Sequence, residues 1–438
     1  MENRHSTRAS QNTSSKNVFF NLSIFQFLTF LRRGVFYTFM INYLFTLMRT
    51  VTSTAALGTF DMIASSLGQN LLWGRICDRY KTRAGLIIMG ETIAAFAYII
   101  VFFIHKSLID AGNSFTAGLA IIFGLSVLEF FWSMSDVGWA ALLTDVTTME
   151  TRGRIVGILN FIAALGRMVG IVFAGFLYAN GEGFRNGTLF FTVPLLLLVG
   201  TTLMTFTSRS IKARNCTPNQ ASTVKKKAED ENKPTDGNEK TYRWFLASLV
   251  IIILGAASIN QIILLYIKLP QGLNASDSQM SLILSAWTIG GMIASLASGR
   301  LTDRIGRTKI IFAGLGLAIV TPLLYSLATN VLLMALIYGL NGVAFWTIQT
   351  AGFVFAGDII PDQKRGRLLS RFNTVMALGW GPAGILIGGP LADVQVKAFG
   401  VPAYAAYVNV FYASSIILSV GTLLFAIKIR KMKIVNNA

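Results

Sequence analysis

The sequence predicts an all-α membrane protein with twelve transmembrane helices in two pseudo-symmetric six-helix bundles. Hydrophobic residues make up 53% of the 438 positions and charged residues only 13%, whereas a soluble domain carries roughly a quarter charged residues. The apolar residues also occur in runs long enough to cross a bilayer, which takes ~20 residues per helix. In addition, short basic motifs recur at corresponding positions of the two halves.

The apolar runs form two sets of six spans, separated by one polar segment. The first set is predicted at residues 18–50, 54–72, 84–105, 116–143, 155–178 and 189–206. The second set is predicted at residues 243–268, 280–298, 308–328, 331–356, 368–391 and 403–429. The segment between the sets cannot bury a core, so a mobile linker is expected. The predicted domains are a polar N-terminus (1–17), a first bundle (18–207), the linker (208–242), a second bundle (243–430) and a tail (431–438).

The net charge of +18 is distributed in a way that predicts the orientation of the chain in a membrane. Most of the 38 Lys and Arg residues lie in the two termini and in alternate connections. Such a bias is typical of cytoplasmic segments. Both termini of a multi-pass cell-membrane protein are therefore expected in the cytoplasm. Arg32 and Arg33 lie within the first predicted span, 18–50, and the residues before them could form an interfacial stretch on the cytoplasmic side. A nucleic-acid partner is not expected, because that would need one contiguous basic surface.

Two sequence motifs occur once in each half, each in a predicted cytoplasmic loop. The pattern G-R-x-x-D-R stands at residues 74–79 and again at 299–304. An aspartate seven positions before R-G-R stands at Asp145 and again at Asp358. Matched motifs in matched loops indicate a duplication, and internal repeats are typical of secondary transporters.

The first motif resembles the signature loop G-x-L-x-D-R-x-G-R-[RK] of the major facilitator superfamily, and the resemblance covers about residues 30–430. The first copy departs from the pattern at Tyr80 and Lys81. By this resemblance, the motif residues would form a cytoplasmic gate that latches the halves while the protein faces outward. The predicted gate residues are Gly74, Asp78, Arg79, Gly299, Asp303, Arg304, Arg307, Asp145, Arg152, Asp358 and Arg365. The alternative is that the basic residues only set the topology.

Ionisable side chains within membrane spans are costly and are therefore functional candidates. They are concentrated in the first half: Arg49, Asp61, Glu91, Glu129, Asp136 and Arg167. Glu129 and Asp136 share a face of the fourth span, where Arg167 is predicted to pair with one of them, and Arg49 is predicted to pair with Asp61. Two of the acids then remain unpaired. These two acids could carry a proton that couples transport to the proton gradient, or neutralise a cationic substrate. The alternative is that the whole set of charges forms ion pairs that only stabilise the first bundle.

The second half offers neutral polar and aromatic groups instead. The substrate candidates are Asn260, Gln261, Asn341, Trp346, Gln349, Asn373 and Trp380, with Trp287 on the eighth span. Helix packing explains each of these residues equally well. The Gly and Pro residues at 379–382 and 388–390 are predicted to permit bending and close packing of the eleventh span.

The resemblance implies a secondary active transporter that moves a small solute by alternating access. Proton coupling and a sugar or organic-acid-like substrate are favoured. The alternatives are a passive facilitator, a cation or drug exporter of the same fold, and a non-transporting membrane receptor. No enzyme motif is found, and His5 and His105 cannot build a metal cluster, so neither an enzyme activity nor a cofactor or metal is expected. The protein is expected to act as a monomer in the lipid bilayer.

Overall fold

Helices make up nearly all of the computed structural model, which describes residues 2–80, 82–147, 149–215, 236–359, 365–379 and 381–436. The helices of the first half are α1 (Glu2–Tyr37), α2 (Met40–Met48), α3 (Val51–Leu67), α4 (Gly74–Tyr80), α5 (Arg83–Asp110), α6 (Ser114–Val146), α7 (Met149–Leu177), α8 (Glu182–Arg185) and α9 (Thr188–Asn215). Those of the second half are α10 (Asp236–Ala257), α11 (Asn260–Lys268), α12 (Asp277–Ile305), α13 (Arg307–Tyr325), α14 (Val331–Ile359), α15 (Arg365–Ala377), α16 (Gly389–Lys397) and α17 (Ala403–Asn436). Two π-helical turns, Gly68–Trp73 and Gly384–Gly388, and a 3₁₀ turn, Ala179–Gly181, complete the elements of these ranges, which contain no strand.

Nine helices in the described part of the chain are long and apolar enough to cross a membrane. They correspond to the third to the tenth and to the twelfth predicted spans. The remaining predicted spans, at 18–50, 54–72 and 368–391, contain no described helix that is both long and apolar enough. Within the predicted linker, 208–242, α9 continues to Asn215 and α10 begins at Asp236, and residues 216–235 lie outside the described ranges.

The first and seventh predicted spans are each broken once, at equivalent positions of the two halves. Thr38 and Phe39 separate α1 from α2, and Ser258 and Ile259 separate α10 from α11. The Ser258 hydroxyl donates a hydrogen bond to the Gly255 carbonyl at 2.8 Å, and a hydroxyl that bonds the preceding turn favours a bend. The matched breaks agree with the duplication that the loop motifs indicate.

Arg32 and Arg33 lie inside α1, and the residues before them, for which an interfacial stretch was considered, belong to the same helix. The residues before them are already part of a packed helix, because Val18, Leu22 and Phe25 are at most 6% exposed. These residues pack against α5, α6 and α9 rather than at a membrane surface. The two arginines therefore follow the first apolar turns of the helix instead of starting it.

α1 and α7 cross so closely that backbone touches backbone. A Cβ on Gly34 would stand 2.4 Å from the Arg167 carbonyl oxygen, and a Cβ on Gly170 would stand 2.2 Å from the Leu31 carbonyl oxygen. Small residues that allow such an approach are typical of membrane helix pairs. The crossing brings Arg33 and Arg167 to the same level of the structure.

The packing differs between the two ends of the molecule. We call the end with Arg79 and Arg304 the basic end, and the end with Arg49 and Asp277 the opposite end. Toward the opposite end, one hydrophobic core takes buried residues from both halves: Phe39, Tyr43, Tyr178, Ile262, Tyr266 and Phe411. At the basic end, the described residues form separate cores, with Val18, Leu22, Phe25, Ile87, Leu142 and Met204 in the first half and Tyr242, Phe245, Ile310, Phe372 and Phe425 in the second. The halves thus share a core at the opposite end, whereas the described residues at the basic end belong to separate cores.

Large apolar side chains cover the outside of the long helices. Each of the following is at least half exposed: Phe96, Ile100, Phe103, Phe176, Leu195, Phe206, Leu296, Leu332, Leu336 and Ile416. Monomeric soluble proteins rarely expose contiguous apolar patches of this extent. This surface requires an apolar surrounding and defines a multi-pass membrane protein.

Candidate functional site

Three charged side chains of α1 and α6 meet inside the first half. The Arg33 Nη2 atom lies 3.9 Å from Glu129 Oε1 and 4.0 Å from Asp136 Oδ2. Glu129 and Asp136 share a face of α6, as their spacing predicted. At these distances one guanidinium is shared by two carboxylates rather than docked on either. The Arg33 and Asp136 side chains remain 34% and 40% exposed, so a small ligand or a proton can reach them.

Trp132 of α6 holds a second arginine beside the first. The guanidinium carbons of Arg32 and Arg33 lie 4.5 Å and 4.2 Å from the centroid of the Trp132 ring. Cations are attracted to the face of an indole ring, and most strongly where water is excluded. Arg32 is 1% exposed and donates a hydrogen bond from Nη1 to the Tyr98 hydroxyl at 2.9 Å. Arg32 is therefore fixed in the core, whereas Arg33 faces an accessible space.

Two further carboxylates of the first half are held by uncharged donors. Glu91 Oε1 accepts hydrogen bonds from Trp132 Nε1 at 2.9 Å and from Ser135 Oγ at 2.6 Å. Asp61 Oδ1 accepts one from Ser126 Oγ at 2.9 Å. The same indole that carries the two guanidiniums thus also orients a buried acid.

The π-helical turn Gly68–Trp73 directs an amide toward the cluster. Gln69 Nε2 donates to Asp136 Oδ2 at 3.4 Å and to Ser65 Oγ at 3.1 Å. Trp73 Nε1 donates to the Phe130 carbonyl at 2.8 Å, which ties this turn to α6. Single π turns inside helices are frequent at functional sites, and here the turn supplies a neutral partner for Asp136.

Two predicted charge pairs are absent from the described part of the structure. Arg49 does not lie within a helix beside Asp61: it is exposed, ends α2 with a left-handed φ of 57°, and stands roughly 15 Å from Asp61 along the axis of α3. Arg167 does not pair with Glu129 or Asp136, where Arg33 takes its place. The Arg167 guanidinium instead lies 5.7 Å from the ring centroid of Trp287 on α12.

The neutral groups of the second half meet around one apolar cavity. Trp287 Nε1 donates to Asn341 Oδ1 at 3.2 Å, Asn341 Nδ2 donates to Thr321 Oγ1 at 3.1 Å, and Asn260 Nδ2 donates to the Gly379 carbonyl at 3.0 Å. The cavity is lined by Ile252, Ile253, Ala256, Ala257, Asn260, Trp287, Ala318, Asn341, Phe345, Ile348, Met376 and Gly379. Two of the predicted substrate candidates, Asn260 and Asn341, therefore line the same cavity as Trp287.

The other substrate candidates that the structure describes do not line this cavity. Gln261 is buried with its amide oxygen against Gly384, and Trp346 packs on Gly291, where a Cβ would stand 2.4 Å from the indole. The Gln349 Oε1 atom is buried without a hydrogen-bond partner among the described residues. Asn373 is exposed on α15, and Trp380 lies outside the described residues.

At the basic end, the structure describes only part of the predicted gate. Asp145 forms an ion pair with Arg83, which joins the end of α6 to the start of α5 within the first half. Arg79 and Arg304 are exposed, Arg307 begins α13, and Gly74 begins α4. The side chains of the remaining predicted gate residues, Asp78, Asp303, Arg152, Asp358 and Arg365, and the surroundings of Gly299 lie outside what is described.

At the opposite end, carboxylates of the second half bind backbone amides of the first. Asp393 of α16 accepts hydrogen bonds from the Val51 and Thr52 amides at 3.0 Å and 2.9 Å, at the start of α3. Asp277 accepts one from the Asn180 amide at 2.8 Å and pairs with Lys268. Neither acid was predicted as a site residue, because both lie just outside the predicted spans, Asp277 before 280–298 and Asp393 after 368–391.

The apolar exterior and the charged cluster among the long helices define a membrane transporter architecture with a buried polar site. The sequence profile of the Major Facilitator Superfamily matches residues 22–269 and again residues 244–437. The chain therefore belongs to this superfamily of membrane transporters, and it is not an enzyme.

The sequence relatives match only part of their own length. The multidrug resistance protein MdtL of Escherichia coli O157:H7 is 26% identical over 136 residues, which are 31% of this chain and 35% of MdtL. MdtL of Citrobacter koseri is 25% identical over 136 residues, again 31% of this chain and 35% of the relative. The matched stretch thus spans about a third of these curated relatives.

Solved structures share the fold over almost the whole chain. The nucleoside transporter NupG has a TM-score of 0.66 at 16% identity, with 93% of this chain and 99% of NupG covered. A bacterial homologue of the iron transporter ferroportin has a TM-score of 0.64 in its inward-facing state and 0.59 in its outward-facing state, both at 17% identity and 94% of this chain, with 98% and 99% of the homologue covered. At these identities the likeness concerns the fold alone.

Proposed function

We propose that this protein is a secondary active transporter that moves a small solute by alternating access and is driven by the proton gradient. In this proposal the predicted spans at 18–50, 54–72 and 368–391 also cross the bilayer, which gives twelve spans in two six-helix bundles. The matched breaks at 38–39 and 258–259 and the twofold match of the family profile support the two-bundle arrangement. The basic end is then cytoplasmic, in keeping with the positive-inside bias, and the protein works as a monomer in the cell membrane.

The observation that carries proton coupling is the position of Arg33 between Glu129 and Asp136. The first half holds four carboxylates against the two guanidiniums over Trp132, so the cluster has an excess of negative charge. Such an excess inside a membrane protein is costly unless protons or a cationic ligand balance it. Protonation of Glu129 or Asp136 would also release Arg33 from one of its counter-ions. A proton and a solute can then be coupled through one shared guanidinium.

Replacing Asp136 with asparagine, or Glu129 with glutamine, is expected to uncouple flux from the proton gradient. Each change keeps the size of the side chain and removes the group that binds the proton. Solute uptake into proteoliposomes would be measured with and without an imposed pH gradient. The wild type should accumulate solute at least tenfold more with the gradient, and the variants should show only gradient-independent exchange.

A matched control is Asp110→Asn, an exposed acid at the opposite end that pairs with Lys106 on its own helix. It should behave as the wild type does. Gradient-driven accumulation in both Asp136→Asn and Glu129→Gln would contradict proton coupling through this cluster. Wild-type flux that never exceeds equilibration would favour a passive facilitator instead.

The contacts at the opposite end support a state that is closed there and open at the basic end. The greater likeness to the inward-facing than to the outward-facing ferroportin homologue agrees with this orientation. Asp393 caps the first amides of α3 across the boundary between the halves. The outward-open state of the cycle must break this contact.

Replacing Asp393 with alanine is expected to favour opening at the opposite end, because two amides lose their acceptor. Loss of a helix cap costs about 1 kcal/mol, which corresponds to roughly a fivefold shift in population. The readout is the rate at which an impermeant maleimide labels Ala55→Cys, a position that is 0% exposed here, in a background without Cys77 and Cys216. Asp110→Ala is the control, and an unchanged labelling rate in Asp393→Ala would refute the role of this contact.

A second candidate function is proton-driven export of drugs or organic cations. The similarity of a 136-residue stretch to the multidrug resistance protein MdtL favours it. The excess of carboxylates in the first half is compatible with this alternative. The charge of the substrate therefore distinguishes the two candidate functions: a cationic substrate would favour drug or cation export, and a neutral or anionic one would favour the first proposal.

A further inference from the structure

Arg167 lies against Trp287 of the second half, whereas Arg32 and Arg33 lie over Trp132 of the first half. The Arg167 side chain is partly buried on α7, and its guanidinium lies 5.7 Å from the ring centroid of Trp287. No carboxylate of the described residues forms an ion pair with it. Arg33, by contrast, lies between two carboxylates. An unpaired guanidinium inside a membrane is costly to keep, and such groups are functional candidates.

The chemistry around Arg167 is suited to an anion. The guanidinium presents several N–H donors in one plane, a geometry that matches a carboxylate through two parallel hydrogen bonds. Tyr338 of α14 contributes a phenol near the same group, and Arg33 adds a second positive charge on that side. The ion pairs described for Glu129 and Asp136 go to Arg33 and leave Arg167 without an acidic partner.

Trp287, whose ring centroid lies 5.7 Å from the Arg167 guanidinium, also lines an apolar cavity. Its wall includes Ile252, Phe345, Ile348 and Met376. The donor groups of its amides are already satisfied, because Asn260 donates to Gly379, and Asn341 donates to Thr321 while it accepts from Trp287. The wall carries no charged residue. It is therefore suited to a hydrocarbon or aromatic group and offers no partner for a second charge.

We propose that Arg167 and the cavity lined by Trp287 bind an organic monoanion, with its carboxylate on the Arg167 guanidinium and its apolar body against Trp287 and the cavity wall. The inference rests on the proposed transport function and names its substrate class. The two half-sites are then complementary: the first half binds the proton near Arg33, and the boundary between the halves binds the anion at Arg167. A proton and a monoanion moved together carry no net charge across the membrane.

The test compares ligands that share a body and differ in charge. Purified full-length protein is titrated calorimetrically with straight-chain and phenyl-substituted monocarboxylates of three to ten carbons, and with the matched primary amides and ammonium compounds. We expect at least one carboxylate to bind, and to bind at least tenfold more tightly than its amide or ammonium analogue. Arg167→Gln should weaken that binding at least tenfold, whereas Arg167→Lys should retain part of it.

Controls separate binding from folding. Arg185→Gln removes an exposed arginine at the opposite end and should bind as the wild type does. Trp287→Phe keeps an aromatic wall and should change the preferred chain length more than the preference for a carboxylate. Should Arg167→Gln fail to fold, the comparison of Arg167→Lys with the wild type across the three charge classes decides the question.

The outcomes distinguish this inference from the proposed transport function. Failure of every carboxylate to bind the wild type, equal binding of amides, or preference for ammonium compounds would overturn the anion site. Proton-driven flux of another solute at wild-type rate in Arg167→Gln would overturn it too, while it leaves the transport function standing. Conversely, carboxylate binding that depends on Arg167 without proton-driven flux in proteoliposomes would support the site and refute the transport function.

Discussion

Replacing Arg32 with alanine is expected to lower the stability of the protein. Arg32 is 1% exposed, donates to the Tyr98 hydroxyl and lies 4.5 Å above Trp132. The buried carboxylate of Glu91 is held by the other edge of this indole. Breaking a docked buried ion pair costs ~3–5 kcal/mol. The loss here is expected to be smaller, because Arg32 forms no ion pair with Glu91 among the described residues and its Nε and Nη2 atoms have no hydrogen-bond partner there. The truncation also leaves a cavity beside Trp132.

The measurement is the thermal unfolding midpoint of detergent-purified protein, together with the yield of monodisperse material. A double-mutant cycle supplies the control: combining Arg32→Ala with Glu91→Gln should recover part of the loss, because the second change removes the stranded charge. Arg33→Ala should cost less than Arg32→Ala, because its side chain is 34% exposed. If Arg32→Ala unfolds with the wild-type midpoint, the buried network does not hold this part of the fold together.

The uninterrupted helices could be predicted from the sequence because apolar length alone determines them. α5 was expected at 84–105 and extends over Arg83–Asp110, and α13 was expected at 308–328 and extends over Arg307–Tyr325. The interrupted spans were harder to predict. The Thr38 hydroxyl donates a hydrogen bond to the Gly34 carbonyl beside the break at 38–39, but the apolar pattern of the span is the same whether or not the helix is continuous.

The acidic residues of the candidate site could be predicted from the sequence, whereas its basic residues could not. Glu129 and Asp136 share a face by spacing alone, so their proximity follows from helix geometry. In the sequence, Arg32 and Arg33 look like the basic boundary of a membrane span. Only the position of Trp132 on another helix shows that they belong to the charged cluster inside the first half. The apolar, helical residues 18–31 ahead of them are the one sequence signal that could have placed them inside the membrane.

The partner of Arg167 could not be predicted from the sequence either. Its depth in the fifth predicted span suggested a partner among the acids of the fourth. The glycine contacts between α1 and α7 instead set its level, and its ring partner, Trp287, lies in the other half of the sequence. A pairing that depends on how two halves dock cannot be read from either half alone.

Docking of the halves also depends on glycine at one position of the eleventh predicted span. A Cβ on Gly381 would stand 2.2 Å from the Gly58 carbonyl carbon and the Thr59 amide nitrogen, which are backbone atoms of α3 in the other half. Backbone atoms in a helix cannot move aside as a flexible side chain can. The close packing predicted for this span is therefore realised across the boundary between the halves.

Gly381→Ala is accordingly expected to block closure at the opposite end while each half stays folded. Transport should fall at least tenfold, maleimide labelling of Ala55→Cys should rise, and the unfolding midpoint should change little. Gly316→Ala is the matched control, since a Cβ there meets no atom within 4 Å and should leave flux unchanged. Wild-type flux in Gly381→Ala would mean that transport does not require the closed packing of α3 against the eleventh span. An equal loss of flux and of folded protein would instead show that this glycine serves the fold, because only a contact confined to one state of the cycle can separate the two readouts.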